Sequence, residues 1–147
     1  MEFYHLSGKR ISEHNEKERE KTSPYHFAYF VLTDERPHLY ANIDKRVDLM
    51  IEQGLVDEVQ KLKNMGFHRD MVSMQGLGYK EILDYLDGKT TLEEAIYIIK
   101  RETRHFAKRQ LTWFRRERDV IWLDKQAYDY QDAKILDSMI NLSLIHI

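Results

Sequence analysis

At 147 residues, with 42% hydrophobic and 33% charged side chains, the chain is long enough to bury one core and too mixed in composition to be fibrous or disordered. A net charge of -2 excludes a uniformly basic nucleic-acid coat, so any contact with a polyanion has to use a segregated patch. The lack of cysteine excludes disulfides and thiolate metal sites, and neither a signal-peptide pattern nor an apolar run of membrane-spanning length is present, so the expected setting is the cytoplasm, with no membrane partner.

Met1 to Leu6 reads as the end of a helix capped by Ser7-Gly8, as though the chain began in mid-structure. Ser12 to Ser23 is dense in charge and reads as a solvated loop or exposed helix, which completes a connector over residues 1–24. After Pro24, Tyr25 to Leu32 is rich in aromatic and β-branched residues and predicts a buried strand. Pro37 suits the first turn of a helix on which Leu39, Ile43, Val47 and Met50 recur until Gly54. A second helix runs from Leu55 to Gly66, a loop covers Phe67 to Val72, and a third helix carries Tyr79, Ile82, Leu83 and Leu86 up to Gly88. Thr91 and Glu94 form a capping box for a long basic helix, Val120 to Leu123 predicts a second strand, and another helix is expected from about Asp132. The central unit is then 25–124, followed by a helix and tail over 125–147. Two strands separated by four helices leave open edges, which implies part of a larger α/β protein.

Gly76-Leu77-Gly78 before Tyr79-Lys80 is better read as a tight turn into a helix than as a phosphate loop, because neither a third glycine nor a Gly-Lys-Ser/Thr sequence accompanies it. The seven histidines include no i, i+4 pair, which argues against a structural transition-metal site. Arg46, flanked by Asp44 and Asp48, reads locally as an ordinary surface arginine.

The basic helix is the strongest local signal. At about 100° per residue, Arg101, Arg104, Lys108 and Arg115 share a sector, while Ile96, Ile99, Thr103, Phe106, Gln110 and Phe114 lie on another that is expected to pack. Only Glu102 and Glu117 supply carboxylates between Lys100 and Arg118, so the charges are not neutralised within the helix and phosphate contact is favoured. Trp113 and Phe114 read as core residues.

Gly78-Tyr79-Lys80-Glu81, Leu92-Glu93-Glu94-Ala95-Ile96, Thr103-Arg104, Ala107-Lys108-Arg109-Gln110-Leu111-Thr112-Trp113-Phe114-Arg115 and Trp122-Leu123-Asp124 follow one another in that order. The succession resembles the C-terminal half of the tRNA dimethylallyltransferases, also called tRNA isopentenyltransferases, from Met1 to about Asp124. Asn141 to Ile147 does not extend the resemblance. It implies an α/β fold class: a mostly helical C-terminal part of a P-loop NTPase-like parallel-sheet fold, with two short strands and about five helices. The implied reaction moves a dimethylallyl group from dimethylallyl diphosphate to N6 of adenosine 37, beside the tRNA anticodon, with help from Mg²⁺.

By the same resemblance, Arg46 matches an arginine that supports the diphosphate, which reverses its local reading. Asp70, Met71, Val72, Ser73, Met74 and Gln75, together with Thr103, Arg104, His105, Phe106, Ala107, Lys108, Arg109 and Gln110, match segments that hold the tRNA anticodon stem-loop. The family's phosphate loop, catalytic aspartate and most Mg²⁺ ligands belong to the N-terminal half. The chain alone is therefore expected to be inactive without that half. A stand-alone helical RNA-binding module, or a protein-interaction domain built on the aromatic stripe, are the competing readings.

Overall fold

The apolar residues that recur at helical spacing in the central segment converge on one core. The computed structural model describes residues 2–20 and 25–146; Met1, Lys21, Thr22, Ser23, Pro24 and Ile147, on which parts of the first helix, the charged run, the strand boundary and the tail were expected, lie outside the described residues. Among those residues the order is α1 (Glu2–Ser7), α2 (Ile11–Glu20), β1 (Tyr29–Thr33), α3 (Arg36–Glu52), α4 (Leu55–Asn64), α5 (Tyr79–Leu86), α6 (Leu92–Phe114), β2 (Val120–Asp124) and α7 (Asp132–His146). A 3-10 turn over Val72–Gln75, which begins at the last residue of the expected loop, precedes α5, and another over Lys125–Tyr128 follows β2.

Val47 of α3, Leu55 and Val59 of α4, Met74 of the first 3-10 turn, Ile82 and Leu83 of α5, and Ala95 and Ile99 of α6 form the core. The α6 start is as expected: Thr91 Oγ1 accepts from the Glu94 amide at 3.2 Å and the Glu94 carboxylate accepts from the Thr91 amide at 2.8 Å, satisfying free donors of the first turn. Gly78 holds φ at 102°, a conformation that side-chain-bearing residues rarely adopt, and turns the chain into α5. Its amide is taken at 2.9 Å by the carboxylate of Glu81, which is 6% exposed. An anion of the protein's own thus occupies the helix start, so the glycine pair is a turn.

β1 and β2 pair in parallel, Tyr29 against Val120 through Thr33 against Asp124, with α3 to α6 making the crossover that a parallel pair requires. The strand is shorter and less buried than Tyr25 to Leu32 was expected to be. Pairing begins only at Tyr29, leaving Tyr25 and Phe27 exposed, and of the strand only Val31 is buried. Leu32 remains 49% exposed because a two-stranded sheet has too few neighbours to cover both faces. The side chains of α2 from Ile11 to Lys17 are exposed, in keeping with its charge.

Beyond β2 the chain returns to the end of β1 through a polar clasp. Asp34 accepts from the Tyr130 hydroxyl at 3.1 Å and from the Glu35 amide at 2.8 Å, and lies 2.5 Å from Nδ1 of His38, whose ring sits 4.7 Å from that of Tyr130. Burial opposes the charge on Asp34, but the bonds from His38, Tyr130 and the Glu35 amide outweigh it and hold the carboxyl below its ordinary range. Asp129 and Tyr130 both have positive φ, at 53° and 56°, a local cost held in place by these contacts and by the packing of α7, where Ile135 is buried.

Candidate functional site

The two halves of α6 have different environments, and the change falls within the basic stretch. Its first half packs through Ala95 and Ile99 and pairs its cations with α3: Lys100 Nζ lies 2.7 Å from Asp48, and Arg104 donates to both oxygens of Asp44 at 2.6 and 2.8 Å. Counting carboxylates within the helix therefore misjudged Lys100 and Arg104. Their counter-charges come from a helix about 50 to 60 residues away in sequence.

Past Arg104 the acids of α3 run out. The side chains of Lys108, Arg115 and Arg116 make no hydrogen bond or ion pair among the described residues, and Arg109 stacks over the Phe106 ring at 5.9 Å. His105, Lys108, Arg109, Thr112, Trp113 and Arg116 line a broad, open depression on this outer side. Trp113 is 54% exposed and Phe106 49%, so neither is a core residue. Phe106 and Gln110 also leave the expected packing face: α6 presents Thr103, Ala107, Leu111 and Phe114 inward, because it meets α3 and the sheet edge, where Phe114 touches Tyr29 edge-to-face at 6.3 Å between ring centres. Thr103 donates to the Ile99 carbonyl at 2.6 Å, which explains a polar residue on the inner side. The result is an uncompensated cationic surface with two exposed aromatic rings, a combination suited to phosphates and unpaired bases.

The segment Asp70 to Gln75 lies on a second surface. Asp70, Met71, Val72, Ser73 and Gln75 are exposed, while Met74 is 1% exposed and pins the turn into the core. Arg69, Asp70, Gln75 and Lys80 line a polar depression, and Arg69 and Lys80 also line a neighbouring one that reaches Arg101 and Glu102 of α6. The loop and the start of the basic stretch thus border adjoining hollows. Arg101 pairs with Glu102, 2.9 Å away, whose carboxyl it holds below the ordinary range.

Arg46 is exposed and its side chain makes no hydrogen bond or ion pair among the described residues. It stands about 200° around α3 from Asp44 and Asp48, so it is not gathered with the cations of α6. No group of three or more His, Asp or Glu able to hold a metal occurs among the described residues. No helix among them is long and apolar enough to cross a membrane.

A family model described as IPP transferase matches residues 1–117. The chain belongs to the IPP transferase family. It is 58% identical over 142 residues to a tRNA dimethylallyltransferase of Lachnoclostridium phytofermentans, covering 97% of this chain and 45% of that protein. To the tRNA dimethylallyltransferase of Acetivibrio thermocellus it is 48% identical, covering 95% and 44% respectively. The chain therefore spans a little under half the length of these IPP transferase relatives. Among solved structures, the full-length tRNA isopentenylpyrophosphate transferase of Bacillus halodurans superposes with a TM-score of 0.70 at 37% identity, over 97% of this chain and 52% of that one. A tRNA delta(2)-isopentenylpyrophosphate transferase of Staphylococcus epidermidis gives the same TM-score and identity over 86% and 41%. The mostly helical α/β fold with one parallel strand pair is that of this family. The additional helices relative to the expected five are α1 and α2, in the first 20 residues.

What local sequence reasoning did not find are the interhelical partners. In the sequence Asp44 and Asp48 stand out only as neighbours of Arg46. Their spacing of four on α3 was the available signal, but it points to one helix face without naming the helix opposite.

Proposed function

We propose that this chain is the C-terminal part of a tRNA dimethylallyltransferase and supplies much of its grip on the anticodon stem-loop. The observation that carries the reading is the uncompensated cationic and aromatic face of α6, Lys108, Arg109 and Arg116 beside Phe106 and Trp113, in a chain of the IPP transferase family. Lys108 and Arg109 contact backbone phosphates, Phe106 and Trp113 offer ring faces to unpaired bases, and the exposed residues of the Asp70 to Gln75 loop hold a second part of the RNA. Arg104 joins them when it exchanges Asp44 for a phosphate.

In the reaction, N6 of adenosine 37 attacks the allylic carbon of dimethylallyl diphosphate. The carbon–oxygen bond breaks, diphosphate leaves with the electron pair, and the N6 proton passes to a base in the remainder of the enzyme. Arg46, whose side chain has no partner among the described residues, stabilises the negative charge growing on the departing diphosphate. The family resemblance also implies Mg²⁺, but the described residues hold no cluster fit to bind it, so no step is assigned to the metal on this chain.

The test is made in the complete enzyme. Arg46→Ala should lower turnover with little change in tRNA affinity, whereas Lys108→Ala should weaken tRNA binding and flatten its salt dependence. Equal losses of tRNA affinity in both variants would sink this division of labour.

A further inference from the structure

A narrower recess lies on the α3 side of α6, lined by Arg36, Tyr40, Lys108, Leu111, Thr112 and Arg115, with a volume of about 80 Å³. Its origin is visible in the antiparallel register of the two helices. Asp48 faces Lys100 and, one step of four residues along each helix, Asp44 faces Arg104. The next steps put Tyr40 by Lys108 and Arg36 by Thr112, with Arg115 adjoining. The acid on α3 is thus replaced first by a phenol and then by a third cation. The ladder changes from self-neutralised to uncompensated within two turns.

Arg36, Lys108 and Arg115 converge without any ion pair among the described residues, and none of the residues lining the recess is a carboxylate. Glu35 precedes Arg36 but lies outside the lining. Three cations at close quarters repel one another unless an anion joins them. The volume suits one small oxyanion and is well below the roughly 300 Å³ at which small-molecule pockets begin.

We propose that this recess seats a single backbone phosphate of the tRNA, held by Arg36, Lys108 and Arg115 with the Tyr40 hydroxyl as a further donor. The inference rests on the tRNA-binding reading above and adds Arg36, Tyr40 and Arg115 to the residues that hold the RNA. A nucleic acid is favoured over a free anion because the recess shares Lys108 and Thr112 with the outer depression that carries Trp113. The recess and the depression that holds the indole meet at Lys108 and Thr112, so one strand passing over α6 would reach both.

The experiment measures binding of a tRNA anticodon stem-loop to the 147-residue chain as a function of salt, with Arg36→Gln and Tyr40→Asp, and thermal melts of each variant. Tyr40→Asp extends the acid ladder by one step and gives Lys108 a partner of its own. Both substitutions should weaken binding and lower the slope of log K against log salt by about 0.7 to 0.9, the loss of one phosphate contact. RNA binding that keeps its affinity and slope in both folded variants overturns the proposal and leaves the tRNA reading standing. Absence of binding by the unsubstituted chain removes that reading and this proposal together. Inorganic phosphate and diphosphate, titrated separately as competitors, decide the source. Weak competition by either supports a phosphodiester site, whereas tight binding of diphosphate that leaves RNA bound overturns it.

Discussion

Asp44→Asn tests the idea that α3 competes with RNA for the cations of α6. Arg104 and Asp44 meet through two bonds of 2.6 and 2.8 Å, with side chains 25% and 38% exposed. With charge centres about 4 Å apart and an effective dielectric constant of about 20, the gross attraction is about 4 kcal/mol. Solvent screening and the entropy of holding two side chains reduce the net coupling to about 1 kcal/mol. A double-mutant cycle with Asp44→Asn and Arg104→Gln, followed by urea denaturation, should return a coupling of that size. The same Asp44→Asn change releases Arg104, so stem-loop binding should tighten and its salt slope steepen by about 0.7 to 0.9. Removing a negative charge also favours RNA in general, so the cycle is repeated for binding. The gain should largely vanish where Arg104 is already Gln. A coupling within about 0.3 kcal/mol of zero, or an equal gain in both backgrounds, would refute the competition.

Trp113→Ala should cost about 1 kcal/mol of stability, because the ring is 54% exposed and its inner edge packs against Phe114, while weakening RNA binding by about 1 to 3 kcal/mol; a loss of about 3 kcal/mol or more in urea denaturation would restore it to the core. Ile82→Ala, at a side chain with no exposure between α4, α5 and α6, should cost about 2 to 5 kcal/mol in urea denaturation, and a smaller loss would mean that the core collapses around the gap. Asp34 has a lowered carboxyl pKa in the folded chain, so its charge contributes stability that is complete above the unfolded value of about 4 and is lost as pH falls through the lower folded value. Asp34→Asn should therefore be less stable than the unsubstituted chain at about pH 6, and the difference should close as pH falls through the lowered folded value; a gap undiminished in acid would place the effect in packing.

The sequence alone determined most of the helical framework, because the information is local. Spacing of apolar residues placed α3 to α6, Thr91 and Glu94 supplied a cap, and the ordered run from Ala107 to Arg115 carried the family. It also located the cationic stretch. It did not determine which cations are free, since charge compensation depends on what stands opposite: Asp44 and Asp48 neutralise Arg104 and Lys100, while Tyr40 and Arg36 leave Lys108 and Arg115 open. Nor did it determine the inner face of α6. Helical periodicity gives the angle between residues but not the direction of the core, and only packing against α3 and the sheet sent Phe106 and Trp113 outward. The clasp of Asp34, His38 and Tyr130 was equally out of reach, because it joins the end of β1 to a turn 96 residues later, and no local pattern encodes a contact over that separation.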